Sequence, residues 1–205
     1  MSFHFGLPAP ALMARIKAWG ATVLASATTV DEGAWLERYG ADVVIAQGIE
    51  AGGHRGHFLS HDLGQQLSTA DLVARLSRSL AVPIVAAGGI GNRADVVAML
   101  AAGAAAVQPG TAYLLCPEAR TTEVHRTALQ QPNRAPEITN LFSGRPARGL
   151  VNRLMRDVGA MSTLPPAFPW ASRSLAPLRA VASTISARYG AALRPTHSRV
   201  VMRRL

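Results

Sequence analysis

VVIAQGIEAGGHRG, residues 43–56, is the stretch from which the architecture is read. Val43, Val44, Ile45 and Ala46 form an apolar run of the length of a buried strand. It stops at Gln47-Gly48, and a loop containing Gly52, Gly53 and Gly56 follows, carrying His54 and Arg55. Glycines in such a loop let the backbone approach a ligand and present N–H donors unobstructed. An imidazole among them titrates near neutral pH and can serve as acid or base. Two readings stay open here: a glycine-rich turn with a solvated His-Arg pair, or a ligand loop with a working histidine.

The same rhythm recurs on either side. Strands begin near residues 2, 22, 43, 83 and 105, with helices between them. Helical faces run through Leu12, Ile16 and Trp19, then Trp35, Leu36 and Tyr39, then Leu72, Val73, Leu76 and Leu80. Ser68 or Thr69 caps the third helix and Asn92 a fourth, Arg93 to Ala102. Strict alternation, in units of about twenty residues apart from the one with the long loop, predicts parallel strands and an α/β fold of the (β/α) barrel kind. Five units make a partial (β/α)8 TIM barrel, residues 1–120. A helical segment over 121–182 then packs on it, with helices at Thr121 to Gln131, from about Ala147, and at Leu175 to Ser186. Residues 183–205 are a basic tail expected to be loose. The stretch from Phe58 to Ser68 lacks periodicity, as a lid or a disordered loop does.

Charge and composition narrow the function. Residues 1–140 hold 10 Lys+Arg and 11 Asp+Glu, whereas residues 141–205 hold 11 Arg and one Asp. Basicity is thus a C-terminal feature, and no aromatic–basic interleaving accompanies it, so no nucleic-acid partner is expected. No run of 18 apolar residues spans a membrane. The opening MSFHFGLPAP lacks a secretory pattern and Cys116 is a single cysteine, which together predict a cytoplasmic protein. Cys116 itself reads as a small apolar filler.

In parallel β/α folds, ligands collect at the carboxyl ends of the strands. Here those ends carry Gln47-Gly48 and the His54 loop, Gly88-Gly89, and Gln108-Pro109-Gly110-Thr111. Two glycine-bearing ends in succession offer backbone N–H groups and a hydroxyl to an anion, which points to a phosphate-bearing cofactor. Gln47 and Gln108 offer amides to a polar ring, or else cap loop backbone. His57 and His61 read as solvated loop residues. One histidine per motif and no carboxylate cluster predict no metal site.

AQGIEAGGHRG (46–56), PIVAAGGI (83–90) and AAVQPGTAYL (105–114), taken in order, resemble the nitronate monooxygenase family, once called 2-nitropropane dioxygenase. SFHFGLP (2–8) and SGRPARGLVNR (143–153) match its habits too, so the resemblance spans roughly residues 1 to 180. It implies an FMN-binding barrel oxidising alkyl nitronates with O₂ to carbonyl compounds and nitrite, without a nicotinamide. It further implies that His54 is the catalytic base. Gln47, Gly52 and Gly89 would contact FMN, and Gln108, Pro109, Gly110 and Thr111 its phosphate end. His4 would line the substrate pocket, unless it is a half-buried strand histidine.

The resemblance also implies three earlier β/α units, with a glycine-rich segment and an asparagine for the flavin, that this sequence does not carry. The first strand's open edge then predicts self-association. The ending RYGAALRPTHSRVVMRRL (188–205) departs from the family and reads as unselected or frame-shifted sequence. Two other functions fit parts of the pattern. The FMN-dependent enoyl-ACP and quinone reductases share the histidine loop, which leaves an NAD(P)H-dependent flavin reductase open. A non-catalytic fragment or basic binding module is the third reading.

Overall fold

The alternation seen in the sequence builds one parallel sheet. In the computed structural model, which describes residues 1–177, the elements run in order as β1 (Ser2–Phe3), α1 (Pro10–Ala18), β2 (Leu24–Ala27), α2 (Val30–Arg38), β3 (Val43–Gln47), β4 (Gly53–His54), α3 (Thr69–Ser79), β5 (Ile84–Ala87), α4 (Arg93–Ala101), β6 (Ala106–Val107), α5 (Glu123–Leu129), β7 (Pro136–Thr139), β8 (Ala147–Leu150), α6 (Arg153–Val158) and α7 (Ala171–Ser174). The large sheet has the order β1-β2-β3-β5-β6, and all four pairings are parallel. Strand order that follows the chain without reversal is that of a β/α barrel; a doubly wound sheet reverses at its switch point.

Local chemistry sets the helix boundaries. Thr29, Ser68 and Asn92 each accept a backbone N–H from the first turn of the helix they open, and Asn92 with Asp95 completes a capping box. Pro10 opens α1, where its missing N–H costs nothing. Inward residues of α2 and α3, Leu36, Leu72, Val73 and Leu76, pack on Val44, Ala46, Ile84 and Ala86 to form the main core. By contrast α4 has no buried residue, and its Val97 and Leu100 are exposed. Strands β1 and β6 each have one neighbour in the sheet. No described helix is long and apolar enough to cross a membrane.

Two expectations change. A basic helix from about Ala147 gives way to strand β8, and α6 starts only at Arg153, capped by Asn152. The reason is pairing: β8 is the centre of an antiparallel sheet β4-β8-β7, so its backbone satisfies two neighbours at once. The segment expected to be helical therefore contains a hairpin. Of the expected last helix, Leu175 is the C-cap of α7; its residues from 178 onward, and the tail at 183–205, fall outside the described residues.

The long excursion after His54 is a packed strap. Arg55, expected as half of a solvated pair, has no exposed surface, and His57, expected in solvent, is 3% exposed. His61 is exposed, as anticipated. A buried carboxylate bolts the strap to α2. Glu32 accepts from Thr28 N (2.7 Å) and Thr28 Oγ1 (2.8 Å), and its other oxygen accepts from Phe58 N (2.6 Å) and Leu59 N (3.2 Å).

Glu32→Ala would leave three buried or half-buried backbone donors without an acceptor. Each orphaned donor costs about 1–3 kcal/mol, so a total loss of about 3 kcal/mol or more is expected in equilibrium denaturation. A loss below about 1 kcal/mol would mean that the strap is held otherwise.

Candidate active site

The carboxyl ends of β3, β5 and β6 open onto one cleft of about 900 Å³. Gln47, Gly52, Gly89, Gly110, Thr111 and, from β8, Arg148 are on its wall. The glycines are needed for steric reasons. Gly88 has φ +130°, and a Cβ there would come within 2.6 Å of Thr69 Oγ1 and 2.9 Å of Ala51 N. At Gly52 a Cβ would stand 3.0 Å from Thr111 Oγ1, narrowing the gap between the histidine loop and the β6 end. The loop is pinned to α3 by Glu50, whose Oε2 accepts from Thr69 N (2.9 Å) and Thr69 Oγ1 (2.7 Å).

His54 sits in β4, next to the cleft-lining Gly53, and pairs across to Ala147 of β8. Its Nε2 is 2.7 Å from Ser143 Oγ. Phe5 and Phe168 meet its ring edge-on, at centroid distances of 6.3 and 5.5 Å. Phe5 adopts φ +71°, a left-handed conformation rare for an aromatic residue, and the Arg145 guanidinium lies 4.0 Å from its ring centroid. Burial, and secondarily the nearby Arg145 charge, hold the His54 imidazole below its ordinary pKa, so it is neutral at pH 7.

The strap's polar groups fix where His54 stands. Gln47 Nε2 donates to His54 O (2.9 Å) and its Oε1 accepts from Gly56 N (2.7 Å), so this amide caps loop backbone. His4 Nε2 lies 3.3 Å from the same carbonyl, which puts the second histidine beside the first. Arg55 reaches Gln66 Oε1 (2.8 Å), Gln47 O (3.1 Å) and Ala51 O (3.4 Å). Burial lowers its pKa to about 10, which leaves it charged at neutral pH. Gln108 lines the cleft and is exposed, while Pro109 is not on the wall.

The expected residues thus gather at one pole: Gln47, Gly52, Gly89, Gln108, Gly110 and Thr111 around the cleft, and His54 with His4 at its flank. Ser143, Arg145, Arg148, Phe5 and Phe168 were not anticipated. Ser143, Arg145 and Arg148 stand in a stretch picked out only for its overall likeness to a family, and nothing local in it announces a return to His54 89 residues earlier.

A nitronate monooxygenase family model matches residues 1–203, so the arginine-rich end falls within the matched span. The nitronate monooxygenase of Pseudomonas aeruginosa is 45% identical over 172 residues, covering 83% of this chain and 49% of the relative. The crystal structure of nitroalkane oxidase from Streptomyces ansochromogenes superposes with a TM-score of 0.81 at 41% identity, covering 90% of this chain and 54% of that one. FabK from Thermotoga maritima is similar with a TM-score of 0.64 at 28% identity, covering 92% and 55%. The chain spans about half the length of the curated relatives it matches.

His57 generates a prediction of its own. Its Nδ1 is buried without a partner, and burial, aided by Arg145, lowers its pKa. The unfolded chain takes up a proton near pH 6.5 and the folded state only at lower pH, so acid favours unfolding through this window. His54 acts in the same direction. The melting temperature is therefore expected to fall from pH 7.5 to pH 5.5, and His57→Leu to narrow that fall. An unchanged pH dependence in the variant would assign the effect to other groups.

Proposed function

The chain belongs to the nitronate monooxygenase family, and from that premise we propose that it takes part in FMN-dependent oxidation of alkyl nitronates by O₂ to carbonyl compounds and nitrite. One observation carries the reading: two glycine-bearing strand ends line a single cleft, and the neutral imidazole of His54 stands at its flank, one residue from the wall residue Gly53. Its volume falls within the range of cofactor sites.

The residues present fit the cofactor. Gly110 O accepts from Tyr113 N (3.0 Å), but neither the Gly89 nor the Gly110 N–H donates to another described residue, so both are available to a ligand. With the Thr111 hydroxyl and the adjoining Gln108-Pro109 turn they form a donor set suited to a phosphate. Gly52 keeps open the space beside Thr111 where bulk would intrude. In this reading Gln108 to Thr111 hold the phosphate end. Gly52, Gly89 and Gln47 face the ring system, Gln47 through its place on the wall and its hold on the loop. FMN, when bound, supplies the electron acceptor and the reactivity toward O₂.

The protein's own groups do the rest. His54 removes the α-proton of a neutral nitroalkane, and the bonding pair stays on the substrate as the nitronate. Phe5 and Phe168, edge-on to the imidazole, keep water from that side of the base. Arg145, close enough to depress the His54 pKa, attracts the anion that forms. His4 holds the His54 carbonyl and lines the same flank. We further propose that the single-neighbour strands β1 and β6 and the exposed Val97 and Leu100 favour self-association. Analytical ultracentrifugation is expected to give a mass above that of one chain; a clean monomer would remove this point.

The whole chain, purified with FMN added, is expected to show flavin absorbance and to consume oxygen with an alkyl nitronate in the absence of NADH. Failure to take up FMN, or anaerobic bleaching by NADH with no nitronate turnover, would overturn the reading, the latter in favour of a reductase. His54→Ala is expected to keep the flavin and to lose turnover of neutral nitroalkanes by about 10²–10⁴-fold. For the wild type, the rate on a neutral nitroalkane rises with pH and has levelled off by neutral pH, since the working form is the neutral imidazole and its pKa is lowered from the ordinary histidine value. A plateau reached only well above pH 7 would contradict that assignment.

A further inference from the structure

The contacts of one hydroxyl decide which nitrogen of His54 carries its proton. Ser143 is 6% exposed, and its Oγ has three neighbours at hydrogen-bonding distance. Arg145 N donates to it (3.3 Å), Arg145 O is placed to accept from it (3.1 Å), and His54 Nε2 lies 2.7 Å away. A serine hydroxyl has one proton and two lone pairs. Arg145 N uses one lone pair. If the hydroxyl proton goes to Arg145 O, the remaining lone pair can only accept, and Nε2 must be the donor. Turning the proton toward Nε2 instead strips Arg145 O of this bond. Only the first arrangement makes hydrogen bonds of all three contacts.

The other ring nitrogen is differently placed. His54 Nδ1 has no hydrogen-bond partner among the described residues, and it is not one of the buried, unpartnered atoms, so it retains contact with solvent. The backbone of the same residue is gripped through its carbonyl by Gln47 Nε2. Residue and ring are thereby both fixed, with one nitrogen committed and one open.

We propose that Ser143 is a positioning residue that holds His54 as the Nε2–H tautomer, leaving Nδ1 as the atom that accepts the substrate's α-proton. The first half concerns the protein alone; the second rests on the function proposed above. In the transfer the substrate's C–H bond breaks, its electron pair remains on the substrate carbon and nitro group, and the proton forms a new bond to Nδ1. The imidazolium so produced keeps its Nε2–H on Ser143, so no proton rearrangement in the ring accompanies the step. Ser143 touches neither substrate nor cofactor in this account; it acts through the imidazole.

The tautomer is read directly by long-range ¹H–¹⁵N correlation of the histidine rings in ¹⁵N-labelled full-length protein near pH 8, with His54→Gln identifying the signals. The expected pattern is a protonated Nε2 and a pyridine-like Nδ1. In Ser143→Ala it is expected to move toward a mixture of tautomers, and in Ser143→Thr, which restores a hydroxyl, to return. In the FMN-loaded protein, Ser143→Ala is expected to slow turnover of a neutral nitroalkane by about 10–100-fold. Turnover of the pre-formed nitronate, which needs no base, should stay within about threefold of wild type. A pyridine-like Nε2 in the wild type, or the wild-type pattern persisting in Ser143→Ala, would overturn the proposal. Equal slowing on both substrates would reduce Ser143 to a structural role. The expected tautomer without any nitronate oxidation would sink the proposed function and leave the assignment of the ring proton standing.

Discussion

A guanidinium with no exposed surface must find its acceptors inside the protein, and residues 47–66 follow the path that supplies them. Arg55 reaches the carbonyls of Gln47 and Ala51 and the side chain of Gln66, which draws the start, middle and end of the strap around one charge. An uncompensated buried charge is severely unfavourable, so alternative courses of the loop that lose these acceptors are closed to it. Glu32 applies the same constraint from the α2 side, through the amides of Phe58 and Leu59. The two charges make no direct ion pair with each other, and each is met by neutral dipoles instead. His54 precedes Arg55 by one position, so the buried charge indirectly sets where the imidazole stands.

The site is a meeting of two sheets with different contributions. Parallel strand ends provide main chain: glycine N–H groups, a threonine hydroxyl, and room where side chains would intrude. The antiparallel sheet β4-β8-β7 provides side chains: His54 on one strand, Arg148 on the next, and Ser143 and Arg145 on the approach to it. Main-chain donors suit an anion that must be held in one place. Side chains on a small separate sheet suit a group that must be oriented.

This division also explains what could be seen in the sequence. The five parallel strands were legible because each is a short extended or apolar run ended by a turn signal, and Val43–Gln47 follows Val43-Val44-Ile45-Ala46 almost residue for residue. The glycine ends at 88–89 and 110 were legible because a parallel sheet places successive strand tips together. Strand β8 was not. Ala147, Arg148 and Leu150 have good helix propensity, and it is pairing with β4 and β7, one of them more than 90 residues earlier, that makes them a strand. Arg55 and His57 were misplaced for a related reason. A charged residue in a glycine-rich loop reads as solvated, and only the fold reveals three interior acceptors converging on it. Ser143 was marked only as part of a family-like stretch and its role was not legible, since that role lies in a contact across 89 residues.

Arg145 ties the chemistry to the fold through a balance of opposing effects. It stacks on Phe5, donates to the carbonyl of His57, and lowers the proton affinity of His4, His54 and His57 alike. For a base this cuts two ways: a lower pKa keeps the imidazole neutral and ready at pH 7, yet weakens its pull on a proton. The loss is offset if the same cation stabilises the other product of proton transfer, the anion left on the substrate, because a nearby positive charge favours an anion as strongly as it disfavours an imidazolium. A guanidinium held over an aromatic ring, with its Nε buried and without a partner, is already partly desolvated before any substrate arrives. Its field is then less screened by water than that of a surface arginine, and little reorganisation is required as charge develops beside it. The left-handed Phe5 that seats this cation is thereby part of the same electrostatic arrangement as the histidine.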